Sequence, residues 1–233
     1  LTFKKLPRYL KNKIYEIYQK RFQIPLEFNH PRSIAFYIIG LCHLYQLKKN
    51  TGLKSLIHRY CKKLTAMYRL NRSSRWEWFE EKLTYSNSIL SEALLEGFKA
   101  TGKKEYYLTG KKTLDFLINK TFCKDYYIPI GQNGWYTKFG QRAYYDQQPE
   151  DTAAMVQTLK MMYLLSGCKK YQRLMYRAFY WFLGENSLGQ VVYDCLTGGC
   201  YDGLGEHYIN LNQGAESTIS YLLARLSLEP DSL

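Results

Sequence analysis

The sequence predicts an all-α chain of repeated helical hairpins, laid side by side as an α/α toroid. Three observations predict it. Almost every segment carries helical rather than strand periodicity. Three apolar runs of helical length are each followed by a glycine, at Gly52, Gly102 and Gly167, as a left-handed C-cap requires. After each glycine comes a second, more basic helix with large side chains in matching places.

Taken in order, the opening helix (residues 6–21) is basic, with Leu6, Leu10, Ile14 and Ile17 on one face. Residues 34–47, 88–99 and 152–165 are the apolar first helices of three hairpins. In the second helices, the fourth position after the glycine is Leu56, Tyr106 and Tyr171. The twelfth is Leu64, Leu114 and Phe179, and the fifteenth is Met67, Leu117 and Phe182. Spacings of 8 and 3 keep these on one helical face. A last helix runs from 215 to 226, giving about eight helices, whereas a closed ring of six hairpins needs about twelve. The ring is therefore expected to be incomplete within one domain, 1–233, made of a basic N-terminal helix (1–25) and the hairpin repeats (26–233). A chain beginning at Leu1 reads as a fragment or a processed form.

Composition narrows the function classes. At 46% hydrophobic residues with 23 tyrosines, the chain is a folded globule rather than a disordered one. No apolar run reaches the length of a membrane span, and no signal peptide is visible. Six cysteines without paired spacing read as reduced thiols of a cytoplasmic protein, with Cys42, Cys61 and Cys168 as small buried hydrophobes. Metal binding is not expected, because Cys195, Cys200 and His207 lack ligand spacing, and no cofactor is called for. The net charge of +13 is uneven: residues 1–124 hold 25 Lys+Arg against 9 Asp+Glu, a balance of +16, and residues 125–233 hold 8 against 11, a balance of −3. The excess reads as a solvated basic exterior, or as weak attraction of residues 1–22 to an anionic membrane face. Nucleic acid is not expected as a partner, since no recognised binding motif accompanies the charge.

The chemistry gathers in loops before the apolar helices. Tyr85-Ser86-Asn87, Tyr145-Asp146-Gln147-Gln148 and Asn212-Gln213-Gly214 occupy equivalent places, so a toroid brings them to one rim. Carboxylates, amides and flat rings are also the groups that grip a sugar. Glycosidic cleavage uses two carboxyl groups, and the rim offers Glu80, Asp146, Asp202 and Glu216. Glu80 sits near Trp76 and Trp78, where desolvation raises a carboxyl pKa, or is one residue of a solvated charge run. Asp146 has helix capping as its competing role, Asp202 a turn, and Glu216 the helix dipole. Glu150 and Asp151 read as dipole residues only. Trp76, Trp78, Tyr85, Trp135 and Tyr136 are candidates to stack on sugar rings, in competition with core packing. Asn87, Arg142, Gln147, Gln148, Asn212 and Gln213 are candidate polar contacts. His207 is the one histidine placed near a site; His43 and His58 are structural, and Trp181 is core.

Several segments then become recognisable. Trp76-Glu77-Trp78-Phe79-Glu80, with Leu83-Thr84-Tyr85-Ser86-Asn87, resembles the "WxWFExxLTYxN" segment of a bacterial family. So do Pro129-Ile130-Gly131, Gly134-Trp135-Tyr136, Asp146-Gln147-Gln148-Pro149, Thr197-Gly198-Gly199-Cys200, Asp202-Gly203-Leu204 and Asn212-Gln213-Gly214-Ala215-Glu216. The family is the six-hairpin-glycosidase-like domain found behind or beside a family 4 type glycosyltransferase domain, and the likeness covers about 76–226. It implies an α/α toroid, an oligosaccharide or glycan partner and a glycosyltransferase partner. Where relatives carry an acidic "DDNAR"-like lead-in, this chain has Asn29-His30-Pro31-Arg32-Ser33, so two rim carboxylates are missing. No nucleotide-sugar-binding domain is present in this sequence. The expectation is a glycoside hydrolase-like protein, and the alternative a non-catalytic glycan-binding or partner module.

Overall fold

A computed structural model describes residues 7–22 and 27–229, the side chains of 18, 19, 21 and 22 excepted. Among them are eight α-helices: α1 (Arg8–Phe22), α2 (Pro31–Leu47), α3 (Thr51–Asn71), α4 (Ser88–Thr101), α5 (Lys104–Thr121), α6 (Pro149–Ser166), α7 (Lys169–Tyr180) and α8 (Ala215–Ser227). The inner helices pack in succession, α2 on α4, α4 on α6 and α6 on α8. Behind them α3 backs α2 and α4, α5 backs α4, and α7 backs α6. This is the alternation of inner and outer helices of an α/α toroid. Helix α8 is a fourth inner helix, and it exposes Ile219, Leu222, Leu223 and Leu226.

The outer helices bury the predicted stripe. Leu64, Leu114, Leu117, Tyr106, Tyr171 and Phe179 are all buried, each apolar side chain contributing roughly 1.5–3 kcal/mol. Phe182 joins them from a 3-10 turn, Trp181–Leu183, that follows α7. Inner helix α4 packs against neighbours on both sides, hence Leu90, Ala93, Leu94 and Leu95 are all fully buried. At Gly97 a Cβ would lie 2.4 Å from Cys61 Sγ, so a bare Cα permits that close contact with α3.

Two of the three glycine caps form as expected. Gly102 (φ 78°) and Gly167 (φ 66°) end α4 and α6 in the left-handed conformation. Gly52 does not: α2 ends at Leu47, and Gly52 lies in the first turn of α3, whose N-cap Asn50 accepts from the Leu53 N–H. A polar cap outcompetes the glycine signal there. Cys168 is likewise exposed at the N-cap of α7, not buried.

Four two-residue strands, β1 (Lys82–Leu83), β2 (Tyr136–Thr137), β3 (Gly203–Leu204) and β4 (Ile209–Asn210), had no signal in the helical periodicity. They form two antiparallel pairs, β1 with β2 and β3 with β4. Gln147 joins the second pair through two backbone bonds with Leu204 (2.9 and 3.0 Å). Among the described residues no helix is long and apolar enough to cross a membrane. Of the apolar face expected on the opening helix, Ile17 is exposed and Leu6 lies outside the described residues.

Candidate functional site

The loops that precede α6 and α8 meet at one rim, where a cleft of about 480 Å³ opens, and the loop before α4 reaches its edge through the contact of Ser86 with Glu150. Asp146, Glu150, Asp202 and Glu216 all line it, with Gln148 and Tyr208. Helices α6 and α8 both direct their first turns here, through Glu150 and Glu216. The walls are backbone: at Gly203 (φ 147°) a Cβ would lie 2.1 Å from the Gln147 carbonyl oxygen, so the strand and the loop before α6 touch only because that position is glycine.

The carboxyl groups differ in their surroundings. Glu150 is half-buried, and the Ser86 hydroxyl donates to it. Burial, then repulsion from Glu216, pushes its pKa from 4.5 up to about 7, against a downward pull from Arg32. Asp202 is the reverse case. Burial would raise it, but bonds from the Ser217 hydroxyl (2.6 Å), the Asn212 amide (2.5 Å) and the Gly214 N–H (2.9 Å) more than offset this and lower its pKa. Asp202 thereby caps α8 from outside the helix. Asp146 accepts one long bond, 3.4 Å, from the Tyr208 hydroxyl. Glu216 is exposed on α8.

Next to Glu150, Asp151 is buried and accepts the backbone N–H groups of Ser86 and Asn87. Burial, then Glu150, raises its pKa well above the ordinary aspartate value. Its Oδ2 has no hydrogen-bond partner. Asp151 thus joins the start of α6 to the start of α4.

Glu80 lies apart from this group. It pairs with the buried Arg32 at 2.6 Å and lines a separate, more apolar groove with Leu70, Phe79 and Phe139. The expected desolvated acid between tryptophans is instead the partner of a guanidinium. That guanidinium also donates to the Tyr85 carbonyl oxygen (2.6 Å) and Asn87 Oδ1 (3.3 Å), and sits 4.8 Å from the Tyr85 ring centre.

Several expected contacts are occupied in holding the fold. Trp78 is fully buried against Phe79 and Phe116, and Trp76 is buried with its indole N–H on the Glu80 carbonyl oxygen. Neither offers a face to a sugar. Tyr136 packs edge-on against Trp76. Asn87 is buried, closing the turn at Thr84. Arg142 donates to the carbonyl oxygens of Lys120, Ile128 and Pro129. Gln147 is buried between Trp181 Nε1 (2.8 Å) and Ser187 Oγ (2.8 Å). Gln213 holds Asp194 and Thr197 in the neighbouring loop, and Asn212 holds Asp202. His207 is 87% exposed beside Glu206 and does not line the cleft. Tyr85 and Trp135 remain open: Tyr85 is 42% exposed, and the half-buried Trp135 ring lies 6.3 Å away.

Sequence reasoning passed over Glu150 and Tyr208. For Glu150 a helix-dipole role was reason enough for a carboxylate. For Tyr208 a signal existed in Gly205, whose Cβ would lie 2.2 Å from the Tyr208 ring. Among the described residues no three His, Cys, Asp or Glu side chains form a group fit to hold a metal ion.

No protein-family model matches the sequence, and no curated protein matches it. Solved structures do match. A GH76 α-mannanase of Bacteroides thetaiotaomicron is 12% identical over 88% of this chain and 55% of its own, with a TM-score of 0.62. A D-mannose isomerase is 15% identical over 85% and 54%, TM-score 0.64. A glycosyl hydrolase family 88 protein of Bacteroides vulgatus is 10% identical over 89% and 65%, TM-score 0.60. The chain thus spans between about half and two thirds of the length of these proteins. Such identities speak for fold alone, and that fold is the six-hairpin-glycosidase-like α/α toroid.

Proposed function

We propose that this protein acts on a glycan in the rim cleft, as a glycoside hydrolase-like enzyme with Glu150 as general acid. The observation that carries the reading is the meeting of four carboxyl groups in one cleft with opposed environments. Glu150 is pushed up to about 7, so it holds a proton near neutrality and can release it to a leaving glycosidic oxygen. Asp146 has one weak partner and supplies the electron pair, as base toward water or as nucleophile at the anomeric carbon. Asp202, held by three donors, keeps a negative charge in place for the cationic character of the transition state. Glu216 adds, after burial, to the raised pKa of Glu150. Tyr85 and Trp135 offer an aromatic platform beside the Ser86–Glu150 contact, fit to receive a neighbouring sugar ring. Solved toroids of carbohydrate-active proteins support the class of ligand and leave the reaction to experiment.

The test is a product and thermal-shift screen of the purified chain against mannose-, glucose- and galactose-based oligosaccharides. Cleavage of one member, lost in Glu150→Gln and in Asp146→Asn, is the expected result. Stabilisation without any product would replace the hydrolase reading with the glycan-binding or glycosyltransferase-partner module. The Arg32–Glu80 pair favours that second reading, because it leaves Glu80 outside the cleft.

A further inference from the structure

Resting on the reading of the rim cleft as a glycan site, we infer that the glycan is a long one, whose chain leaves the cleft across Tyr85 and Trp135 and lays further sugar units in the apolar groove at Phe139. Two segments of the protein run the same course between groove and cleft. In the first, Glu80, Glu81 and Lys82 line the groove, Tyr85 follows, and Ser86 meets Glu150 of the cleft. In the second, Gln132 lines the cleft, Trp135 lies beside Tyr85, and Thr137, Lys138 and Phe139 line the groove. Pairing of β1 with β2, Lys82 with Thr137 and Leu83 with Tyr136, holds the two segments together. The aromatic pair therefore stands between the two hollows.

Each part of this path suits a sugar chain. The groove, about 640 Å³, joins apolar Met67 and Leu70 to the exposed polar side chains of Glu81 and Lys82. Phe139 is 92% exposed, a ring face that a pyranose can cover while its hydroxyls turn to the charged groups. Large exposed apolar side chains rimmed by polar ones mark a ligand groove. The platform between is firmly built. Arg32 donates to the Tyr85 carbonyl oxygen, sits 4.8 Å from the Tyr85 ring centre, and pairs with Glu80 of the groove wall. Ser86 (φ 46°) and Trp135 (φ 59°) are the two non-glycine residues in the left-handed region among the described residues. That conformation is unfavourable for a bulky side chain and persists where the surrounding structure enforces it, as at ligand clamps. Continuity selects the occupant: a peptide or an acyl chain would use the groove without the cleft, whereas one strand pair and one guanidinium join the two. A short oligosaccharide fills the cleft and leaves Phe139 bare; a longer one covers both.

The experiment is calorimetric titration of the full chain with mannose-, glucose- and galactose-based oligosaccharides in graded lengths. From about two to about eight units of the preferred sugar, affinity should rise about tenfold or more. In Phe139→Ala that ratio of long to short should fall to about threefold or less, with the melting temperature reporting the fold. Leu70→Ala, at a second exposed position of the groove, repeats the comparison if Phe139→Ala unfolds. Equal affinity for short and long members, or a ratio that the variant leaves unchanged, overturns the inference and leaves the cleft reading standing. Binding of no member at any length removes the cleft reading together with it. An octyl glycoside of the preferred sugar probes the other occupant. If its binding depends on Phe139 while that of the long oligosaccharides does not, the groove takes an apolar aglycone and the inference falls.

Discussion

Removing the Arg32 side chain tests how the rim is held together. The guanidinium is 2% exposed and serves Glu80, Tyr85 and Asn87 at once. In Arg32→Ala, Glu80, only 16% exposed, becomes an unpartnered carboxylate. Breaking a buried pair from one side costs about 3–5 kcal/mol. Because Glu80 keeps some access to water, the lower end, about 3 kcal/mol, is the expected loss. A double-mutant cycle with Glu80→Gln should return a coupling of about 2 kcal/mol, since the second change removes the orphaned charge. Urea denaturation at pH 7 measures both. A cost below about 1 kcal/mol for Arg32→Ala would show a pair no stronger than an exposed one and refute the argument. The same change bears on chemistry. Arg32 pulls the Glu150 pKa down, so without it that pKa rises, and the alkaline limb of a pH–rate profile should move to higher pH.

Glu150→Gln and Asp146→Asn should each reduce turnover on a proven substrate by at least about a hundredfold, with the melting temperature nearly unchanged; activity surviving either change removes that residue from catalysis. Trp135→Ala should weaken glycan binding severalfold with little thermal loss, whereas a large drop in melting temperature would assign Trp135 to the core. Stability should also fall as pH rises. Burial raises Glu150 from 4.5 to about 7, and burial, then repulsion from Glu96, raises Glu92 from 4.5 to about 8. Between about pH 5 and 8 these two acids, joined by Asp151, hold more protons folded than unfolded, three raised groups against the two histidines, His43 and His58, that burial lowers, and the sign of linkage makes stability decrease with pH. Melting temperatures across that range should decline in the wild type and decline less in Glu92→Gln; a flat wild-type profile would contradict the burial of these acids.

Much of the architecture was legible because toroid helices repeat. Tyr106, Leu114 and Leu117 recur as Tyr171, Phe179 and Phe182, and all are buried, since each outer helix solves the same packing problem. The rim was legible in position, because each loop that precedes an inner helix comes to one end. Individual roles were less so. Gln147 and Arg142 look like ligand contacts because amides and guanidinium groups in loops have two uses that sequence does not separate. Here the loop backbone itself needed partners, and Gln147 spans Trp181 and Ser187 while Arg142 collects three carbonyl oxygens. Trp76 and Trp78 fall inward because the segment after α3 crosses over α5, where Phe116 receives both rings. The short β1–β2 and β3–β4 pairs carry too few residues for a period to register.

Glu150 shows why a plausible local role can hide a functional one. It occupies the first turn of α6, just after Pro149, where the helix dipole stabilises an anion by about 0.3–1 kcal/mol. That term lowers a carboxyl pKa. The rise from 4.5 to about 7 corresponds to roughly 3 kcal/mol, and still about 2 kcal/mol after allowance for solvent screening. Burial and Glu216 therefore outweigh the dipole. The competition is visible only once α8 has carried Glu216 to the same cleft, since nothing near position 150 in the sequence announces it. Glu216 stands in turn on a helix whose start is capped by Asp202. The part of the Glu150 shift that comes from Glu216, second to burial, thus depends on a residue 52 positions away capping another helix, and in Asp202→Ala the Glu150 pKa should fall below 7 while burial holds it above 4.5. Carbon-detected NMR titration of the Glu150 carboxyl would measure this, and an unchanged value near 7 would show that burial alone sustains the shift.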